Sequence, residues 1–238
     1  MTERVRRSVL ITGGTGALGA AVTRRFLEDG HRVSVTWRRE DEVDVLRRNL
    51  GTLGKDLIAV NADVTAPESI ARARDEVATA LGAVEVLVYL VGGFSGGSRV
   101  HEHSLEAWDS MMELNLRTAF LCCRATLPAM RERGWGRIVL VSSQAARADR
   151  IDQGAYAVAK SGVAVLAEVI AEENRELNVT ASAIAPSFLD TPANRTAMPD
   201  EDHSKWVALE DVAATIVFLA SEEGGRLRGA WLPITGFA

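Results

Sequence analysis

Residues 8–19 read Ser-Val-Leu-Ile-Thr-Gly-Gly-Thr-Gly-Ala-Leu-Gly, and this stretch decides the fold. Its apolar start predicts a buried strand, and the pattern from residue 17 to about residue 28 predicts a helix. Glycines in such a turn let the backbone approach a pyrophosphate, while the helix N-terminus offers free N–H groups and its positive dipole end. The glycines lie at Gly13, Gly16 and Gly19, which is not the common G-x-G-x-x-G spacing. A tight strand-to-helix connection without a ligand is the alternative interpretation.

Strands and helices alternate along the rest of the chain. Apolar runs predict strands over residues 32–37, 57–60, 84–91, 137–142, 179–185 and 230–234. Helices are predicted over residues 38–50, from residue 67, and over residues 104–133, 154–177 and 210–221. Continuous apolar strands indicate a parallel sheet covered on both faces. We therefore predict one α/β domain over residues 1–238, a Rossmann-type doubly wound parallel sheet of about seven strands with helices on both faces.

Composition excludes several classes of protein. Charged residues make up 25% of the chain and the formal net charge is −5, whereas nucleic-acid binding favours a basic face. The two cysteines, Cys122 and Cys123, are sequence neighbours that rarely pair, which indicates a reducing compartment. We expect no signal peptide, because glycines cut short the first apolar run, and residues 86–91 are too few to span a bilayer. The composition thus predicts a cytoplasmic protein with no nucleic-acid or membrane partner, and we expect no metal.

Tyr156 and Lys160 lie four residues apart in a long predicted helix, so their side chains share one helical face. A tyrosine hydroxyl has a pKa of about 10, and a nearby ammonium lowers that pKa by favouring the phenolate. The pair is a candidate proton donor and acceptor. Ser143 ends a predicted strand at the same sheet edge as the glycine turn. The alternative is a half-buried tyrosine beside a surface lysine.

Several motifs together resemble those of the short-chain dehydrogenases/reductases. They are Thr-Gly-Gly-Thr-Gly-Ala-Leu-Gly at residues 12–19, Asn-Ala-Asp-Val at residues 61–64, Asn115, Ser143 and Tyr156-x-x-x-Lys160. The resemblance covers nearly the whole chain. It implies an NAD(P)-dependent oxidoreductase that transfers a hydride between nicotinamide and a small carbonyl or imine-type substrate.

The resemblance also implies roles for single residues. Tyr156 would be the general acid, Lys160 would hold the nicotinamide ribose and lower the tyrosine pKa, and Ser143 would hydrogen-bond the substrate oxygen. Asn115 would anchor a water at a helix irregularity. The implied cofactor-binding residues are Gly13, Thr15, Gly16, Leu18, Gly19, Trp37, Arg38, Asp63, Val64, Val91, Gly92, Pro186, Leu189 and Thr191, with Tyr156 and Lys160. An ordinary polar helix residue and an ordinary helix cap are the alternatives for Asn115 and Thr191.

One residue and two short segments depart from the family's pattern. Ala17 stands where the short members carry glycine, Tyr-Leu-Val-Gly at residues 89–92 replaces Asn-Asn-Ala-Gly, and Pro-Ser at residues 186–187 replaces Pro-Gly. The asparagine that ties the sheet together is therefore missing. Val91 and Gly92 are expected to contact the cofactor through their backbone only.

The end of the second predicted strand indicates NADP(H) as the preferred cofactor, with NAD(H) as the alternative. An acidic residue there would accept hydrogen bonds from the adenosine ribose and repel a 2′-phosphate. Here Trp37 holds that position and is followed by Arg38 and Arg39. Arginine binds phosphate through charge-assisted hydrogen bonds. The alternative is that both arginines only solvate the start of a helix.

Two segments show a local resemblance to the quinonoid dihydropteridine reductases, namely residues 91–97 and 189–206. They predict a compact, flat or cyclic substrate, with a quinonoid dihydropterin as one candidate, although Ser143 suits a carbonyl oxygen. Phe94 and Trp206 would offer aromatic faces to such a ring. A loop anchor for Phe94 and a lid residue packed on its own helix for Trp206 are equal alternatives. The irregular segment 186–206 follows a strand's carboxyl end and is a candidate substrate lid.

The family resemblance also implies a homo-oligomer, a tetramer or a dimer. The two long predicted helices carry small or apolar residues suited to helix packing between subunits, which a monomer core would use equally well: Ala119, Ala125, Ala155, Val163, Ala164 and Ala167. A catalytically inactive nucleotide-binding regulatory protein is the alternative of another class. Such a protein has no need of Asn115, Ser143, Tyr156 and Lys160 together.

Overall fold

Seven parallel strands form one sheet in the order β3-β2-β1-β4-β5-β6-β7, in a computed structural model that describes residues 5–148 and 150–236. The strands are β1 Ser8–Thr12, β2 Arg32–Trp37, β3 Ile58–Asn61, β4 Val86–Tyr89, β5 Trp135–Val141, β6 Asn178–Pro186 and β7 Trp231–Ile234. Every pairing between them is parallel, from β2 with β3 to β6 with β7. The predicted doubly wound sheet is confirmed.

Within residues 5–148 and 150–236, eight α-helices connect the strands. They are α1 Ala17–Glu28, α2 Glu40–Leu50, α3 Pro67–Leu81, α4 Leu105–Met111, α5 Thr118–Arg133, α6 Gly154–Glu173, α7 Pro192–Ala197 and α8 Leu209–Leu219. A π-helix, Met112–Arg117, joins α4 to α5, and short 3-10 turns lie at Gly51–Asp56, Val100–Glu102, Gln144–Ala146, His203–Lys205 and Gly224–Arg226. The helix predicted over residues 104–133 is thus interrupted, and the one predicted to reach residue 177 ends at Glu173. There Asn174 caps α6, and its side-chain amide donates to the Ile170 carbonyl oxygen at 2.7 Å.

Alternate residues of each strand build two hydrophobic layers. Leu10 of β1 points into a layer shared with α3, α5 and α6, whereas Val9 and Ile11 point into a layer shared with α1, α2 and α8. This period of two is the geometry of a strand covered on both faces. The order of strands reverses between β1 and β4, so the turns after these two strands meet at the switch point where such sheets bind ligands.

The small residues expected at a subunit contact lie mostly inside the subunit's own core. Ala119, Ala155, Val163, Ala164 and Ala167 are all buried in this structure, so the packing of one chain accounts for them. The side chains of α5 and α6 that stay exposed are larger, and include Phe120, Val158, Val165 and Val169. By length and composition alone, α6 would also be able to cross a membrane, which is weak evidence because core helices of globular proteins pass the same test.

Candidate active site

Ser143 and Tyr156 meet at the carboxyl edge of the sheet. Ser143 follows β5, and Tyr156 lies in the first turn of α6. Burial raises the pKa of the Tyr156 hydroxyl, and a hydrogen bond with the Ser143 side chain partly offsets this by lowering it. A tyrosine with a raised pKa keeps its proton at neutral pH, which suits a proton donor.

Lys160 is buried one helical turn further along α6. Its Nζ donates to the carbonyl oxygen of Val141 at 3.0 Å and lies 5.8 Å from the centroid of the Tyr156 ring. Burial lowers the pKa of Lys160 to about 8. The expectation that this ammonium lowers the tyrosine pKa stays a prediction, since Nζ is bonded to β5 and burial is the larger effect on the pKa of Tyr156.

Asn115 lies in the π-helix and is completely buried. Its Nδ2 donates to the carbonyl oxygens of Gly93 and Met111, each at 3.1 Å, and its Oδ1 accepts from the Gly93 N–H at 3.2 Å. The side chain therefore fastens the loop after β4 to the π-helix. A Cβ at Gly92 would lie 2.7 Å from Asn115 Oδ1 and 3.0 Å from Lys160 Nζ, so both side chains reach the same point of this loop.

Tyr89 is a site residue that the sequence reasoning missed. Its hydroxyl is fully buried and hydrogen-bonds with the Thr118 hydroxyl and with the carbonyl oxygens of Leu114 at 3.1 Å and Asn115 at 3.3 Å. The tyrosine at the end of β4 thus ties the sheet to the π-helix, from the position where the family's pattern has asparagine. Two features of the sequence indicate this contact: the tyrosine in place of asparagine at residue 89, and Thr118 four residues after Leu114.

The glycine turn between β1 and α1 borders a cavity of about 410 Å³. Its lining residues are Gly13, Gly16, Ala17, Leu18, Gly19, Leu90, Thr191, Pro192 and Ala193. Gly13 has a φ of +73°, and a Cβ at Gly19 would overlap the carbonyl oxygen of Gly13, so the turn requires glycine at both positions. Helix α1 begins without a side-chain cap and without an acidic residue in its first turn. Its first N–H groups therefore lack partners inside the helix and fit the pyrophosphate of a dinucleotide.

Comparison with known proteins agrees with this geometry. Residues 7–202 match the family model described as short chain dehydrogenase. The chain belongs to the short-chain dehydrogenase family. It is accordingly an NAD(P)-dependent oxidoreductase that acts on hydroxyl or carbonyl groups.

Relatives of this dehydrogenase match it over almost their whole length. It is 31% identical to the 3-oxoacyl-(acyl-carrier-protein) reductase MabA of Mycobacterium tuberculosis, over 98% of this chain and 92% of MabA. It is also 31% identical to the cis-4-hydroxycyclohexanecarboxylate dehydrogenase of Sinomonas cyclohexanicum, over 97% of this chain and 95% of that enzyme. A crystal structure of an actinorhodin polyketide ketoreductase variant with NADPH superimposes with a TM-score of 0.89 at 25% identity, covering 99% and 98% of the two chains.

The residues expected at the adenosine end of the cofactor lie at the carboxyl ends of β2 and β3. Trp37 ends β2 and is half-buried, Val64 is buried, and Arg38 is exposed. The Asp63 carboxylate accepts hydrogen bonds from the Thr65 N–H and hydroxyl, which lower its pKa, and Arg38 adds to this effect. Arg38 and Asp63 therefore face the same region of the dehydrogenase.

The residues expected at the nicotinamide end lie after β6. Pro186 ends β6, and Leu189 pairs with Val207 in an isolated parallel bridge. Thr191 caps α7, its hydroxyl accepting from the Asn194 N–H at 3.1 Å, which agrees with the alternative of an ordinary helix cap. Thr191 nevertheless lines the cavity at the glycine turn, so the segment 186–206 borders the site.

The two aromatic residues expected at the substrate differ in their surroundings. Phe94 is 63% exposed and meets the Tyr156 ring edge-to-face, with centroids 5.1 Å apart and an interplanar angle of 86°. Trp206 packs instead on residues of its own segment, with its ring 4.3 Å from that of His203 and 6.0 Å from that of Phe188. The structure therefore brings Phe94 to the candidate active site, while Trp206 packs within its own segment.

Proposed function

We propose that this dehydrogenase works as an NADPH-dependent reductase of a small carbonyl compound, with Tyr156 as its proton donor. The observation that carries the proposal is the hydrogen-bonded Ser143–Tyr156 pair beside buried Lys160, at the same sheet edge as the glycine turn. Bound NADPH would supply the hydride to the carbonyl carbon. The raised pKa of Tyr156 keeps the hydroxyl protonated, so it delivers its proton to the carbonyl oxygen as the alcohol forms.

Ser143 would donate a hydrogen bond to the same carbonyl oxygen and so orient it toward Tyr156. Lys160 holds its Nζ at Val141 O and has a pKa of about 8, so it readily gives or takes a proton near neutral pH. Lys160 would also hold the nicotinamide ribose. Asn115 keeps the loop after β4 in place through both backbone groups of Gly93, the residue before Phe94, whose ring meets that of Tyr156.

The preference for NADP(H) over NAD(H) is supported by Arg38. Arg39 is ion-paired with Asp41 at 2.7 Å, whereas Arg38 projects into solvent near Asp63 at the adenosine end. A guanidinium in this position would bind a 2′-phosphate. Replacing Arg38 by Asp should shift the preference toward NADH, and equal affinity of the wild type for both cofactors would contradict the assignment.

The substrate class is supported by the chemistry of the pocket. Ser143 and Tyr156 present two hydroxyls to one oxygen, which suits a ketone better than a ring nitrogen of a pterin. The named substrates of the two relatives described above are a 3-oxoacyl chain and a ring alcohol. We propose a compact ketone, in a ring or in an acyl chain, with Phe94 as one wall of the pocket. A quinonoid dihydropterin remains the second candidate because of the local resemblance at residues 91–97.

A substrate panel tests this function. NADPH oxidation is followed with cyclic ketones, 3-oxoacyl thioesters, aldehydes, quinones and quinonoid dihydropterin, each with wild type and Tyr156→Phe. Robust ketone reduction that Tyr156→Phe abolishes supports the proposal. Turnover of the pterin alone would replace it by the second candidate. Cofactor binding without turnover of any compound would instead indicate a nucleotide-binding regulatory protein.

We further propose that the enzyme is a cytoplasmic homo-oligomer, a tetramer or a dimer. Support comes from exposed apolar side chains on α5 and α6, namely Phe120, Val158, Val165 and Val169, which contiguous burial between subunits would remove from water. Cys122 and Cys123 are both free and buried, in keeping with a reducing compartment. Light scattering that gives the mass of one chain at micromolar concentration would contradict the oligomer.

A further inference from the structure

A carboxylate reaches the glycine turn from the second helix. Glu42 lies in the first turn of α2, and its Oε2 accepts a hydrogen bond from the Thr15 hydroxyl at 2.8 Å. Thr15 is part of the turn between β1 and α1. The Glu42 side chain is 39% exposed, so one of its faces is held by the protein and the other is open to solvent.

This carboxylate lies where an adenosine ribose is recognised in dinucleotide-binding sheets, between the glycine turn and the end of the second strand. An acidic residue there accepts from ribose hydroxyls and repels a 2′-phosphate. The usual position for that residue, the end of β2, holds Trp37. Glu42, in the first turn of α2, brings a carboxylate to the same region.

The neighbouring charges offset Glu42 only in part, because Arg39 shares its single positive charge between Asp41 and Glu42. Arg39 is already ion-paired with Asp41 at 2.7 Å, and its Nε lies 3.7 Å from Glu42 Oε1. Residues 38–42 read Arg-Arg-Glu-Asp-Glu, two positive charges against three negative ones. The charge of Arg39 is thus neutralised by carboxylates of the same helical turn. The positive charge that favours NADPH is therefore smaller than the sequence Arg38-Arg39 suggests.

We propose that Glu42 is a cofactor-specificity residue. Its carboxylate, which the hydrogen bond from Thr15 holds at the glycine turn, weakens the binding of NADPH relative to NADH. The inference rests on the proposed function in one respect, that a nicotinamide dinucleotide binds at this turn. Two like charges compete there: a 2′-phosphate attracted by Arg38 and a carboxylate anchored by Thr15. NADH lacks the phosphate, so Glu42 does not oppose it.

Removal of the charge alone tests this role. Glu42→Gln keeps a side-chain oxygen that accepts from the Thr15 hydroxyl, so the hydrogen bond and the shape of the turn are retained. Glu40→Gln is the matched control, because it removes the same charge from the same helical turn without touching Thr15's partner. Dissociation constants for NADPH and NADH are measured by nucleotide fluorescence for wild type and both variants, which needs no turnover.

Glu42→Gln should tighten NADPH about tenfold, which corresponds to a like-charge repulsion of about 1.4 kcal/mol, and leave NADH within about twofold. Glu40→Gln should leave both cofactors within about twofold, because a charge without a fixed position near the phosphate is screened. Equal effects of the two variants on NADPH would overturn the inference. If wild type binds both dinucleotides, only this inference then fails. If wild type binds neither, the proposed function fails, and the inference with it.

Discussion

At the scale of single residues, the proton of Tyr156 decides whether the site reduces a carbonyl. Tyr156→Phe removes the proposed donor but keeps the ring that packs edge-on against Phe94. We expect turnover to fall by at least about 10³-fold, within the range that one general acid contributes, while the dissociation constant for NADPH stays within about twofold. Steady-state kinetics measures the turnover, and a fluorescence titration measures the dissociation constant for NADPH. Near-wild-type turnover in the variant would show that another group donates the proton.

Lys160 makes the stability of the protein depend on pH. Burial lowers its pKa from 10.5 to about 8, so between these values the unfolded chain binds a proton that the native chain has released. The free energy of unfolding therefore rises with pH through this window, by up to about 3 kcal/mol, and the gain is absent below the native pKa.

The measurement for Lys160 is urea unfolding at about pH 7.5 and about pH 9.5, with wild type compared to Lys160→Met and to Lys55→Met as an exposed control. From the lower to the higher pH, wild type and the Lys55 variant should gain about 2 kcal/mol relative to Lys160→Met. Parallel pH dependence in all three proteins would mean that the pKa of Lys160 is the same in the folded and the unfolded chain.

At the scale of elements, the π-helix between α4 and α5 is held by Tyr89. Tyr89→Phe leaves the Leu114 and Asn115 carbonyl oxygens without that donor, while Thr118 still donates to Leu114 O at 2.7 Å. We expect a loss of about 1–2 kcal/mol in the free energy of unfolding, the cost of one buried hydrogen-bonding group. Because Asn115 lies in this segment, kcat should fall several-fold with little change in KM.

The partner of Tyr89 provides the test of that coupling. Thr118→Val removes the other hydroxyl, and the double variant should be less destabilised than the sum of the two single variants, because both belong to one hydrogen-bonded group. Urea unfolding of the four proteins measures the interaction. Strict additivity, with kcat unchanged in Tyr89→Phe, would mean that the tyrosine fills space and does not position the π-helix.

These elements also mark how far sequence reasoning reaches. The ends of α1 were predicted from local signals, an apolar run followed by glycines, and the structure has the helix at Ala17–Glu28. The π-helix has no such local signal: an irregularity at Asn115 was expected from the family resemblance alone, and the bond between Tyr89 and Thr118 joins residues 29 apart. The bond between Thr15 and Glu42 likewise joins residues 27 apart. The pKa of Lys160 is set by its burial, which the spacing to Tyr156 does not reveal.

At the scale of the whole molecule, the carboxyl and amino ends of the parallel strands carry different groups of residues. The carboxyl edge carries the glycine turn and the candidate active site. The opposite edge carries a cluster around buried Glu85, which accepts from Arg7 Nη1 at 3.0 Å, from the Ser8 N–H at 2.9 Å and from Arg133 Nη1 at 3.3 Å. Arg32 adds an ion pair at 3.5 Å. This cluster joins β1, β2, β4 and the end of α5.

A substitution at Glu85 should therefore change stability and leave the chemistry alone. Glu85→Gln removes the carboxylate that Arg7, Arg32 and Arg133 share, and losing a hydrogen bond to a charged group costs about 1.5–3 kcal/mol. For a chain of this size that corresponds to a fall in Tm of about 3–12 °C, since each kcal/mol shifts Tm by about 2–4 °C. Glu76→Gln, on the exposed face of α3, is the control and should leave Tm unchanged. At 25 °C, well below unfolding, kcat/KM of both variants should equal that of wild type, because the cluster lies at the far end of every strand from Tyr156. A loss of kcat/KM in the folded Glu85 variant would show that the amino edge of the sheet also shapes the active site.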